Sequence, residues 1–168
     1  MRVVPAGLLL FLVSISGFAQ PPGNGGISLT SARLPTIVRK QMERELFSGM
    51  SNRYNREDIA ETSKVLRVRL GPGDRWGWRM QGGYQLCGRG ANCPFWLFDE
   101  RSAAVLLRSE AGFDFRFLKT MHAGLYDVRI MQSIGAMDPA ISQRYEFDGT
   151  QYVEVSDTGK TKADSLRE

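Results

Sequence analysis

The sequence predicts an α+β domain in which an N-terminal amphipathic helix packs on one twisted antiparallel sheet of about six to eight short strands, with one local disulfide. Three observations carry that expectation. Apolar residues recur at helical spacing from Leu34 to Met50, short alternating runs divided by glycine-rich or polar turns fill Val65 to Val155, and both cysteines sit in one turn-prone stretch, Cys87 to Cys93. A closed barrel is the alternative arrangement of the same strands.

Met1 to Ala19 reads as a secretory signal peptide, with one charge at Arg2, an apolar run from Ala6 to Val13 and small residues up to Ala19. That run is shorter than the roughly 20 apolar residues of a spanning helix. The expectation is therefore a secreted or periplasmic protein with no stable membrane insertion after signal cleavage. Removing 19 of 168 residues leaves 149, the size of one domain. The net charge falls from +4 to +3, because Arg2 is the only charge removed.

Residues 20–30, Gln-Pro-Pro-Gly-Asn-Gly-Gly-Ile-Ser-Leu-Thr, read as a flexible tether, and residues 31–155 as the single domain. Leu34, Ile37, Val38, Met42, Leu46 and Met50 form one stripe, which predicts a helix from Pro35 to Phe47 with Gly49 as its stop. Glu57 to Thr62 reads as one further helical turn. Val65 to Leu70 sets Leu66, Val68 and Leu70 against Val65, Arg67 and Arg69, the pattern of a half-buried strand. Further strands are expected at Arg75 to Met80, Tyr84 to Leu86, Phe95 to Phe98, Ala103 to Arg108, Phe113 to Leu118 and Tyr126 to Met131. Tyr145 to Val155 reads as a hairpin turning at Asp148-Gly149. Residues 156–168 carry almost no apolar side chain and read as disordered.

Export favours a disulfide between Cys87 and Cys93. The ring would hold seven residues, worth about 2 to 2.5 kcal/mol by chain entropy. A redox-active pair is disfavoured, since five residues separate the cysteines and Pro94 follows, whereas catalytic dithiols usually have two between them and an adjacent helix start.

Other chemistry is thinly represented. His122 is the only histidine and falls in an expected loop, Met121 to Gly124, and no Gly-x-Ser-x-Gly elbow occurs. One histidine and an oxidised cysteine pair argue against zinc, and no cofactor is implied. Glycoside hydrolysis needs two facing carboxylates, for which Asp74, Asp99, Glu100, Asp114, Asp127 and Asp148 are candidates only by their presence. The basic pI near 9.3 comes from cations interleaved with acids, which does not suggest a nucleic-acid partner. The aromatics are denser than chance turns would need. Alternation places Trp76 with Trp78 on one strand face, flanked by Arg75 and Arg79, and sets Trp96 beside the disulfide loop that carries Arg89. An exposed aromatic pair of this kind could stack on a sugar or receive a protein, although burial in a core is its commoner use.

Leu86 to Phe98 resembles a Cys-Gly-x-x-Gly-Asn-Cys-Pro segment, followed by apolar and aromatic residues, of secreted bacterial proteins of uncharacterised function, with Ala91 standing where glycine is expected. Tyr145-Glu146-Phe147-Asp148-Gly149-Thr150-Gln151-Tyr152 is similar to the Tyr-x-Phe-Asp-Gly-x-x-Tyr end of the same proteins. Gly71 to Gly77 lacks the aspartate-rich loop such proteins can carry, which weakens a calcium reading. The resemblance implies an exported α+β module with a disulfide and offers no activity to carry over. The expected function is a non-enzymatic binding or structural module of the cell envelope, its partner an envelope glycan or protein. An inhibitor of a hydrolase and a small carboxylate-dependent envelope hydrolase are the alternatives.

Overall fold

In the computed structural model, residues 25–48, 50, 55–109, 111–135 and 140–155 are described. The expected signal peptide, residues 20–24 of the tether, the helix stop at Gly49 and the tail 156–168 lie outside the described residues.

Helix α1 spans Thr36–Phe47 and buries Val38, Met42 and Leu46, one residue per turn of the apolar stripe. Helix α2, Arg56–Thr62, starts at Asn55, whose side chain accepts a hydrogen bond from the Glu57 backbone N–H, and carries Glu57 and Asp58 in its first turn, where the helix dipole favours acids. Neither helix is long and apolar enough to cross a membrane.

Among the described residues nine strands form two antiparallel sheets. The first holds β1 (Ile27–Ser28), β2 (Lys64–Arg69), β3 (Trp76–Gln81), β4 (Phe95–Asp99) and β5 (Val105–Ser109) in that order. The second holds β6 (Asp114–His122), β7 (Leu125–Gln132), β8 (Ile141–Phe147) and β9 (Tyr152–Val155), also in sequence order. The expectation of a single sheet is thus corrected, and β4 shows why. Every residue of Phe95–Asp99 is buried, so both faces of the strand need cover. On one face Trp78, Met80, Trp96 and Phe98 pack with Val38, Met42, Leu46 and Ile59 of the helices. On the other, Phe95 and Leu97 pack with Phe115, Val128, Ile130, Tyr145, Phe147 and Tyr152 of the second sheet. A helix alone could cover only one of those faces.

Three smaller expectations are corrected as well. The end of the expected tether is ordered: Ile27 pairs with Val65, Ser28 with Lys64, and Leu29 is fully buried. Tyr84–Leu86 is a 3-10 turn instead of a strand, and a second such turn at Arg89–Ala91 lies inside the disulfide loop. Strand β8 begins at Ile141, earlier than Tyr145, and closes the expected hairpin onto β9, where Asp148 Oδ1 accepts from the backbone N–H groups of Thr150 and Gln151.

The Cys87–Cys93 disulfide is formed. Its loop does more than tie neighbouring residues. Asn92 is buried and bonds both backbone groups of Ser133, accepting from the N–H at 2.9 Å and donating to the carbonyl. The Cys93 N–H donates to Gly112 O at 2.7 Å. A loop attached to the first sheet therefore grips the segment that leads into β6 and the segment that follows β7 in the second sheet. Replacing both cysteines with serine is expected to lower the unfolding free energy by about 2 kcal/mol, read by urea denaturation beside the untreated and reduced wild type. An unchanged midpoint would show that Asn92 and the Cys93 amide hold the loop without the bridge.

Candidate functional site

The strongest polar constellation among the described residues is built around Asp127, which is fully buried in β7. The local cause is a bulge. Phe117 pairs with Val128 but Met121 pairs with Tyr126, so Leu118, Lys119 and Thr120 together face Asp127 alone. The chain then turns at Ala123-Gly124, both with positive φ (44° and 84°), a two-residue connection of the kind that matches strand twist. Bulge and turn together bring Thr120 and His122 to the Asp127 carboxylate, while β8 supplies Arg144 and Glu146 from either side of Tyr145, which pairs with Val128.

The contacts are short. His122 Nδ1 lies 2.7 Å from Asp127 Oδ1, the Thr120 hydroxyl donates to Oδ2, and Arg144 Nη2 donates to Oδ2 at 2.9 Å. The same Arg144 Nη2 is 2.9 Å from Glu146 Oε1, and His122 Nε2 is 3.4 Å from Glu146 Oε2. Burial acts to raise the Asp127 carboxyl, but the hydrogen bonds from Thr120, His122 and Arg144 outweigh it and hold the group below the usual carboxylate range. Tyr152, whose hydroxyl donates to Tyr126 O at 2.7 Å, is pushed well above the usual phenol range by burial and then by the Asp127 charge.

His122 is exposed, but it lies in a strand and not in the loop expected from sequence. It ends β6, is 44% exposed at its side chain, and is held by a buried acid. A signal was present: a two-residue turn after His122 makes it pair with Leu125 and puts Asp127 on the diagonal of the same face. Ala-Gly is a weaker turn signature than Asn-Gly, so the hairpin did not stand out.

A second feature is a groove of about 320 Å³ lined by residues of β5, β7, β8 and β9, where β5 meets β9. Arg108, Ser109, Gln132, Gln143, Tyr145 and Glu154 line it. Gln143 Nε2 donates to Glu154 Oε1 at 3.4 Å, and the Tyr145 hydroxyl reaches Gln143 Oε1 at 3.4 Å. Arg108 is ion-paired with Glu45 of α1.

The aromatic and basic residues expected to form one binding face are dispersed. Trp78 and Trp96 are 8% and 7% exposed and belong to the helix-facing core, where their Nε1 atoms have no hydrogen-bond partner among the described residues. Arg79 points to the opposite face and is buried, 5.6 Å from the Phe115 ring centroid and 6.0 Å from that of Phe95, and burial lowers its pKa. Only Trp76 is partly open, with Arg67 stacked 4.4 Å from its ring centroid and itself bonded to Glu100. Arg75 lies 3.7 Å from Asp99. The Arg89 side chain lies outside the described residues. An exposed Trp76–Trp78 pair is excluded because β3 is an interior strand whose helix-facing side is covered at Trp78.

No protein-family model, curated protein or solved structure matches the chain.

Proposed function

We propose that the protein is an exported, non-enzymatic module of the cell envelope that binds a glycan in the groove between β5 and the β8–β9 hairpin. The observation that carries this reading is the convergence there of two amides, a hydroxyl and a carboxylate: Gln132, Gln143, Ser109 and Glu154. Side-chain amides and carboxylates suit sugar hydroxyls, because each hydroxyl both donates and accepts. The volume lies at the small end of ligand sites and suits one or two sugar rings. Export rests on the apolar N-terminal run and agrees with the disulfide.

The paired carboxylates Asp127 and Glu146 invite a glycoside-hydrolase reading, and their chemistry weighs against it. A general acid needs a raised pKa and contact with the leaving oxygen. Asp127 is shifted the other way and is fully buried, and Arg144 bridges it to Glu146.

Titration of the full chain with soluble peptidoglycan and envelope polysaccharide fragments, by calorimetry, tests the proposal. Gln143→Ala and Glu154→Ala should each weaken binding about tenfold, the scale of one or two hydrogen bonds, and Trp76→Ala should leave it unchanged. Absence of binding to every fragment, or binding indifferent to both groove substitutions, would overturn it.

A further inference from the structure

The ring of His122 lies between two carboxylates. Nδ1 is 2.7 Å from Asp127 Oδ1 and Nε2 is 3.4 Å from Glu146 Oε2. Asp127 offers only lone pairs, since Thr120 and Arg144 already donate to its other oxygen, so the hydrogen of the Nδ1 contact belongs to the ring. With Nδ1 protonated, the neutral ring carries a lone pair at Nε2, 3.4 Å from a carboxylate oxygen. A shared cation, either a second ring proton or a metal ion, would turn that approach of two acceptors into an attraction.

We propose that His122 Nε2 and Glu146 Oε2 are the protein ligands of an open zinc-type site, with Asp127 as the carboxylate that orients the imidazole. The 3.4 Å between the two atoms equals the ligand-to-ligand edge of a tetrahedral site, about 3.4 Å for bonds of roughly 2.0–2.2 Å. A metal-bound imidazole usually donates its second ring N–H to a carboxylate, the role Asp127 already fills. One ligand atom from each of His122, Asp127 and Glu146 lies within 4.8 Å of the others. Arg144 occupies Asp127 Oδ2 and Glu146 Oε1, which leaves Oε2 facing the ring. Its positive charge weakens cation binding, and water supplies the remaining ligands at the exposed side of the ring. A nitrogen donor selects zinc and its neighbours over magnesium or calcium. The proposal runs against the expectation drawn from the count of histidines, and it rests on where His122 and Glu146 meet.

The test uses tag-free full-length protein, in which His122 is the only histidine and its ring signals are unambiguous. Zinc chloride is titrated at pH 7.5, with calorimetry and ring ¹⁵N shifts as readouts. One equivalent should bind saturably and move the Nε2 signal. His122→Ala, which removes a partly exposed side chain, should abolish that binding, Glu146→Gln should weaken it at least about tenfold, and Asp127→Asn should weaken it by about 10- to 100-fold. A ring that keeps both protons throughout the titration, an Nε2 signal that does not move, or zinc binding that persists in folded His122→Ala would overturn the proposal.

Discussion

Asp127→Asn is expected to lower the unfolding free energy at pH 7 by about 2–4 kcal/mol. The side chain is fully buried and serves three donors, Thr120, His122 and Arg144. An amide keeps the shape but replaces one acceptor with a donor that faces Arg144 or His122. The loss stays below that of a wholly buried ion pair because the Arg144 and His122 side chains are 33% and 44% exposed. The pH dependence has a defined sign. The folded-state pKa of Asp127 is depressed, so its contribution is complete above the unfolded value of about 3.9 and is lost as pH falls through the folded value. Urea denaturation at pH 7 and near pH 3 should therefore show the gap between wild type and variant narrowing in acid. A gap independent of pH would mean that the carboxylate charge contributes nothing.

Phe95→Ala should cost about 3–5 kcal/mol, the range for removing a large buried aromatic. Phe95 is fully buried on the face of β4 that meets the second sheet, with its ring centroid 5.6 Å from that of Phe115. The vacated space cannot be refilled cheaply, because Arg79 borders it and would meet a cavity with its guanidinium. Denaturant unfolding followed by tryptophan fluorescence, which reports the opposite core through Trp78 and Trp96, should show one cooperative transition at a lower midpoint. A cost under about 1 kcal/mol would be incompatible with a packed two-sheet core at this position.

Much of the domain was legible along the chain because its cause is local. Val38, Met42 and Leu46 of the stripe specify which face of α1 is buried, while Ile37 is exposed, and Leu66, Val68 and Leu70 do turn to one side of β2 while Arg67 and Arg69 turn to the other. Asp148-Gly149 turns where its short side chain and positive φ suit a turn. The second sheet was hidden for a reason visible in Phe95-Trp96-Leu97-Phe98. An apolar run buried on both faces shows that two partners exist, yet carries no mark of whether they are helices or strands. The same run explains the misplaced binding face, since tryptophans judged by strand alternation alone cannot reveal what lies above them.

By itself the sequence determined the helix and its buried stripe, the period of the strands, their turns and the pairing available to two cysteines. Each of these depends on residues a few positions apart. Tertiary structure alone decided that Trp78 and Trp96 are core, that the disulfide loop grips Gly112 and Ser133, and that His122, Asp127, Arg144 and Glu146 meet. Those outcomes hang on a bulge in β6 and on pairing between distant strand residues such as Val128 and Tyr145, where position is set by the packing of the whole sandwich and no local preference records it.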